Sequence, residues 1–425
     1  MNDGQIGASR EVRSSSLDEQ LPVVVLAGGV TALGVLRAFG RAGIPVFVHP
    51  DTDEAIRYSR WYRPLPNGAA GGAAISERPS LAPLTEALAR SGLQRGFLCA
   101  CTDDWNRSVA QYAEAATPRF LSVVPTRAAL ERLQDKGRLA TLMQELDVPM
   151  PVTRLIRDGS DLADLPQSKE TFYFLKPTDS QRFLTHFGTK GMRVRTAEEA
   201  RRRLAEIVGA GMSVVLQEYI PGPFTEHYFV DGYMDRRGRI RALFARRRLR
   251  IYPPDFGNST AMVSVALDGV AQAVDSVQRV LQAVDYRGIF SAEFKHDARD
   301  GRFKLLEINT RPWWFIDFAV RCGVDLCRMA YDDAQGREVA PVMRYKIGAT
   351  CIYPYYDFLA AQPLIRSGQL SRWRWLEELL QALQPVGCWD DPLPALVGVA
   401  RMSRSAVRNR LRWLVNPGPP RSKRH

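Results

Sequence analysis

Short apolar runs alternating with helical-period stripes dominate the first third of the chain. Val23 to Leu26 is an apolar run closed by Gly28-Gly29, the pattern of a buried parallel strand. From Ala32 to Arg41 the residues Leu33, Leu36 and Phe39 share one helical stripe, and Gly43 ends it. Pro45 to Val48 reads as the next strand. The same order recurs as a helix over 81–91, a strand over 96–100, a helix over 105–116 and a strand over 121–124. The repetition predicts an open parallel sheet through about residue 125. Residues 64–80, PLPNGAAGGAAISERPS, form a loop by composition.

The pattern then changes. A helical pair over 127–146 is followed by strands at 172–176, 214–220, 227–234 and 239–244, without a helix between each. That order predicts an antiparallel α+β region. In IFSAEFKHDARDGRFKLLEINTR, Ile289 to Lys295 and Phe303 to Arg311 are strands, and Asp300-Gly301 is a hairpin turn signal. Residues 370–383 form an amphipathic helix carrying Trp373 and Trp375. The fold class expected is thus α/β followed by α+β: an open parallel sheet, then antiparallel sheets, then a small C-terminal extension.

Composition bounds this picture. A chain of 425 residues, 45% apolar and 24% charged, is an ordinary globular protein of two or three domains. No stretch approaches the ~20 apolar residues of a membrane span. Residues 1–20 are polar, lack the apolar core of a secretory signal and are expected to be disordered. The six cysteines are scattered, which suits free thiols in a reducing cytoplasm better than a disulfide framework or zinc site. The net charge of +12 is concentrated at one end: residues 401–425 hold eight Arg or Lys and no acid. Such a tail is either a solvated segment or a weak contact for anionic membrane, where AVRNRLRWLV (406–415) would lie as a basic helix. Nucleic acid is not an expected partner, and a homo-oligomer is compatible with the sequence.

The hairpin carries the chemistry. With the loop centred on Asp300, Glu293 sits opposite Glu307. At ~5 Å and an effective dielectric of ~20 their repulsion is on the order of 3 kcal/mol. A shared proton relieves it, and so does a divalent cation; an exposed face with incidental charge is the bland alternative. Asn309 adds a neutral oxygen on the same face. Two carboxylates and an amide are hard donors suited to Mg²⁺, with Mn²⁺ as its substitute. Arg311 extends the line and can hold an anion.

These residues resemble the metal-binding hairpin of the ATP-grasp enzymes, and the likeness runs from about Pro125 to Gly336. Lys136, at a helix start before DVPMPVT, is similar to the family's first nucleotide lysine, and Lys176 in FLKP to the second. VLQEYIPG (215–222) resembles the hinge whose backbone holds adenine, which involves Gln217, Glu218 and Ile220. Glu226 falls where the family places an acid near the ribose. The segment PTDSQRFLTHFGTKGMRV departs from the usual glycine-rich loop, with glycines only at Gly188 and Gly191, and is read as a mobile basic flap through Arg182, His186, Lys190 and Arg193. This version is similar to the branch containing D-aspartate ligases and related carboxylate–amine ligases, as are the G-x-x-x-x-G-x-x-R of Gly29 to Arg37, the Arg57-Tyr58-Ser59 stretch and the Cys101 to Asp104 turn.

The resemblance implies a pre-ATP-grasp domain over 21–125, an ATP-grasp domain over 126–336, a C-terminal extension over 337–400 and the tail from 401. It implies an ATP-dependent ligase that joins a carboxylate to an amine through an acyl phosphate. Lys136, Lys176 and Gly191 would meet the phosphates, Glu293, Glu307 and Asn309 the metal, and Arg311 the carboxylate. Gly29, Asp103 and Asp104 are candidates for substrate contact or for turn and cap chemistry. The alternatives are an ATP-grasp carboxylase, another phosphorylating enzyme, or a regulator that binds ATP without turnover. Arg246-Arg247-Arg248 with Arg250 reads equally as an anion site or a surface strand. Trp313 and Trp314 read as a pocket wall or as packing, and His227 and His296 as structural.

Overall fold

The computed structural model describes residues 20–49, 54–67, 80–114, 118–156, 173–177, 180–189, 191–254 and 257–400. The N-terminal stretch, the basic tail and Lys190 lie outside them. The first unit comprises β1 (Val23–Leu26), α1 (Gly29–Arg41), β2 (Val46–Val48), α2 (Leu81–Arg90), β3 (Gly96–Ala100), α3 (Asp103–Ala113) and β4 (Phe120–Leu121). Its strands are parallel in the order β2-β1-β3-β4. Every residue of β1 and β3 is buried, as the unbroken apolar runs require of strands covered on both faces.

The second unit follows α4 (Arg127–Gln134) and α5 (Lys136–Glu145). Asp135 separates these helices, and its carboxylate accepts from Arg138 N at 2.8 Å as the N-cap of α5. That cap fixes Lys136 as the first helical residue. β5 (Thr153–Ile156), β6 (Tyr173–Pro177), α6 (Ser180–Phe187), β7 (Met192–Val194), α7 (Ala197–Gly209) and β8 (Val214–Glu218) then build an antiparallel sheet ordered β5-β8-β6-β7. The segment expected as a flap holds the two-turn helix α6 instead. Phe183 and Phe187, four residues apart, bring their rings to 4.6 Å, and Phe183 is fully buried. That hydrophobic pair supplies the helix with a core face.

The third unit is a six-stranded antiparallel sheet, β13-β12-β9-β10-β11-β14. It is formed by β9 (His227–Met234), β10 (Ile240–Tyr252), β11 (Asn258–Val265), β12 (Gly288–Asp297), β13 (Arg302–Asn309) and β14 (Thr350–Ile352), with α8 (Ala271–Ala283), α9 (Ile316–Arg321), α10 (Leu326–Ala334), α11 (Pro354–Arg366) and α12 (Arg372–Gln381) around it. Alternation sorts its two faces. Val230, Leu243, Ala245, Phe290 and Ala292 join a core with α4, α5 and α8. On the other face Tyr233, Phe244 and Ile289 join the core of the first unit. Further along the same strands that face stops being apolar and opens towards the small sheet. β10 runs on through Tyr252, so the arginine run lies within a strand rather than after one.

Residues 337–400 wrap back onto the molecule. β14 extends the large sheet, and the chain then reaches α1. There the fully buried Arg37 donates to Asp391 Oδ2 at 2.9 Å and to the carbonyls of Pro385, Val386 and Asp391 at 2.8–3.0 Å. Asp391 also accepts from Ser59 Oγ at 2.8 Å and Arg60 N at 2.9 Å. Removing one partner of a buried pair strands the other charge. Asp391→Ala is therefore expected to cost about 3–5 kcal/mol in chemical denaturation, whereas Asp390→Ala, at an exposed partner of Arg41, should cost about 1 kcal/mol or less.

Candidate functional site

A cleft of about 460 Å³ lies between the small sheet and the open end of the large one. Strand periodicity decides which side chains line it. In β6, Leu175 faces the small-sheet core while Phe174 and Lys176 face the cleft; in β8, Gln217 does so opposite Phe174. Lys176 Nζ donates to Gln217 Oε1 at 2.5 Å. Burial and the neighbouring Lys136 pull the Lys176 ammonium below its usual range, against the upward pull of Glu307 and Glu293. Lys136 itself donates to Pro177 O at 2.9 Å, beside Lys176. Gly191 passes close under the same strand: a Cβ there would lie 3.2 Å from Leu175 O.

The ladder of β8 ends at Glu218, whose N–H bonds Val152 O at 2.8 Å. Its carboxylate pairs with Arg299 at 2.6 Å and accepts from Val152 N. Tyr219 and Ile220 then leave the sheet and line the cleft, with Leu306 and Lys295 contributed by the hairpin. Lys295 donates to the carbonyls of Gly222 and Pro223, and burial first, then Arg248, hold its ammonium down to about 8. Glu226 pairs with His296 at 3.3 Å.

The hairpin register is the one the turn signal predicts: Glu293 faces Glu307, and Ser291 faces Asn309. A register shift follows immediately, so Phe294 pairs with Leu305 and Leu306 joins the cleft wall. Across four strands the row runs Arg246, Phe229, Glu293, Glu307. Glu293 is the buried end of the carboxylate pair. Its Oε1 accepts from Arg248 Nη2 at 3.1 Å and lies 3.0 Å from His227 Nδ1. Burial pushes the carboxyl up, but the His227 hydrogen bond and the Arg248 charge overcome it and hold it at about 2. His227, held near 4 mainly by burial, is a neutral imidazole at neutral pH. It donates to Glu293 or accepts from Arg248 Nη1 at 2.9 Å according to its tautomer. His227, read from the sequence as structural, thus lines the cleft.

The arginine run is likewise not a surface strand. Arg246 is buried, donates to Asp231 at 2.6 and 3.2 Å and stacks on Phe229 at 4.0 Å. Arg248 and Arg250 line the cleft. Arg250 reaches Asp357 of α11 at 2.8 Å and Glu378 of α12 at 2.7 Å. Ala360, Pro363 and Leu364 of α11 complete that wall. Neither α11 nor these contacts were legible beforehand, because they depend on how residues 337–400 return.

β13 ends at Asn309, so Arg311 lies beyond the strand rather than on it. Its guanidinium grips Asp103, at the first turn of α3, with bonds of 2.8 and 3.1 Å. Asp104 pairs with Arg107. Thr310 accepts from Asn106 and Gln134, so the end of the hairpin is tied to α3 of the first unit and to α4. Gly29 stands at the start of α1 with φ +77° and open space around it. Trp313 is buried 5.4 Å from Arg246, and Trp314 lies against Tyr353 and Tyr356.

No family model matches the chain. D-aspartate ligase of Enterococcus faecium (strain Aus0004) is 26% identical over 247 residues, which cover 56% of this chain and 58% of that protein. The chain thus spans a little over half the length of the curated relative it matches. Among solved structures, a biotin carboxylase–β,γ-ATP complex from Campylobacter jejuni superposes with a TM-score of 0.60 at 17% identity, covering 78% of this chain and 74% of that one. The L-amino acid ligase of Bacillus licheniformis gives 0.51 at 14% identity, covering 76% and 78%. The chain has the ATP-grasp fold. Within it, the sequence likeness is to D-aspartate ligase.

Among the described residues no group of three His, Cys, Asp or Glu converges on one point. The donor set still fits a hard cation that keeps sites for phosphate and water: two facing carboxylates and the Asn309 amide. Because one carboxylate already faces Arg248, Mg²⁺ alone is expected to leave the melting temperature unchanged. Mg²⁺ with ATP should raise it, by the equivalent of about 2.7 kcal/mol at a hundredfold excess over Kd. Glu307→Gln should remove the magnesium-dependent part in thermal shift assays.

Proposed function

We propose that the protein is an ATP-dependent ligase that joins a carboxylate to an amine and releases ADP and phosphate. The observation that carries this reading is the placement of Glu293 opposite Glu307, with Glu293 bonded to the cleft-lining His227 and Arg248 and both carboxylates acting electrostatically on the cleft-lining Lys176. In this reading the backbone at Glu218 to Ile220 presents one C=O and one N–H to the adenine edge. Phe174 and Leu306 pack on its faces. Lys136, Lys176 and the backbone at Gly191 meet the phosphates as point charges and donors. Glu226 lies towards the ribose. Glu293, Glu307 and Asn309 would hold Mg²⁺, which would supply positive charge against the phosphate oxygens when bound.

A substrate carboxylate oxygen forms a bond to the γ-phosphorus while the bond to the ADP oxygen breaks. The amine nitrogen then attacks the acyl carbon, loses a proton, and the phosphate leaves as the C–O bond breaks. Arg311 stabilises the negative charge on the carboxylate and on the acyl phosphate, and Asp103 positions it. The work is positioning and electrostatics, so no nucleophilic side chain is required. The similarity to D-aspartate ligase supports an amino-acid-like carboxylate as one substrate.

The test is ADP release against a panel of carboxylates and amines. Turnover that requires one of each is the expected result. Turnover with bicarbonate and no amine would make the protein a carboxylase, and nucleotide binding with no turnover on any pair would make it a regulator. Glu307→Ala is expected to lower magnesium-dependent turnover by roughly a thousandfold with an unchanged unfolding transition. Retained turnover would remove the hairpin from the chemistry.

A further inference from the structure

The end of the cleft away from Arg311 holds a buried donor that no described residue satisfies. Arg246, Arg248 and Arg250 recur at a spacing of two along β10. Arg246 is level with Glu293 through Phe229, and the row of Asn309, Ser291 and Asp231 lies on the Arg311 side of it. Arg250 lies on the other side, four residues and about 13 Å further along the strand. There β10 passes the turn Phe224–Glu226, and Phe224 and Arg250 both line the cleft.

The Arg250 side chain is only 7% exposed, and its guanidinium is held on two edges. Nε donates to Asp357 Oδ1 at 2.8 Å, and Nη1 to Glu378 Oε2 at 2.7 Å. Asp357 is fully buried and is itself fixed: Oδ1 accepts from Thr260 Oγ1 at 2.8 Å, and Oδ2 from Trp375 Nε1 at 2.9 Å. The third nitrogen, Nη2, is buried and has no hydrogen-bond partner among the described residues. Two carboxylates on a planar fork leave Nη2 little freedom to turn elsewhere. A buried N–H without an acceptor is destabilising, and a ligand oxygen in the cleft removes that cost.

Charge selects the kind of oxygen. Arg250 and Arg374 are matched by Asp357 and Glu378, two positive groups against two negative ones. A position already balanced in this way suits an uncharged acceptor better than another anion. On a nucleotide the uncharged oxygens with free lone pairs are those of the sugar, and they lie beyond the phosphates as seen from the reacting end. With the cleft read as a nucleotide site, we propose that Arg250 Nη2 donates to a ribose hydroxyl, and that Asp357 and Glu378 are the residues that position it. The C-terminal return thus adds an oriented donor, and a wall of Ala360, Pro363 and Leu364, to a site otherwise built by the two sheets.

The test is isothermal titration calorimetry of the full chain with the magnesium complexes of ATP, 2′-deoxy-ATP and 3′-deoxy-ATP. ATP is expected to bind roughly tenfold or more tightly than the deoxynucleotide that lacks the accepting hydroxyl. Two full-length variants accompany it. Arg250→Lys has one nitrogen in place of three, and Arg250→Met with Asp357→Asn removes the donor without stranding a buried carboxylate. In each, the affinity for ATP should fall to that of the deoxynucleotide, whose own binding is unchanged. Equal binding of all three nucleotides by the wild type would overturn the proposal, as would a variant that keeps the preference. So would a variant that weakens all three alike, which would make Arg250 a prop of the wall and not a contact. These outcomes leave the ligase reading standing, whereas a wild type that binds no nucleotide would overturn both.

Discussion

Two carboxylates held face to face across a hairpin are the constraint that the charged residues of the adjoining cleft answer. In isolation their opposition costs on the order of 3 kcal/mol, and backbone pairing allows neither strand to slide away. The surroundings answer with positive charge from two directions. Arg248 touches Glu293 from β10, on the far side of β9, and Lys176 acts on both from the opposite sheet.

The same economy explains the large sheet. One face is apolar along its length and packs on helices. The other is apolar only where it meets the first unit, and then carries Arg246, Arg248 and Arg250 where it opens. Each of these arginines has an acidic partner on a different element: Asp231 on β9, Glu293 on β12, and Asp357 with Glu378 on α11 and α12. Buried pairs of this kind add little net stability but penalise wrong arrangements. They tie the C-terminal return, β9 and the hairpin to one geometry.

Much of this was legible in the sequence. The hairpin was, because a turn signal and a period of two determine which residues face each other, and Glu293 opposite Glu307 follows from them alone. The parallel sheet of the first unit was, because unbroken apolar runs admit few alternatives. Lys176 was, because a lysine ending a buried strand has few places to go. What escaped depended on long-range packing. The contact of His227 with Glu293 arises only because β9 lies beside β12. The sequence left the arginines of β10 open between an anion site and a surface strand, because their acidic partners lie between 15 and 128 residues away. Arg311 seemed to continue a strand that stops at Asn309, since nothing local reveals its bond to Asp103. The helix α6 was missed because its departure from a glycine-rich loop was read as a variant of that loop, although Phe183 and Phe187 already marked a helical face.

The proposed ligase activity requires a magnesium–nucleotide site between the cleft and that hairpin. A crystal structure with Mg²⁺ and a non-hydrolysable ATP analogue tests it most directly. The expected complex has the adenine edge on the backbone of Glu218 to Ile220, and the phosphates between Lys176 and a cation that Glu293 and Glu307 share. A nucleotide bound elsewhere, or one in the cleft whose cation touches neither glutamate, would contradict it.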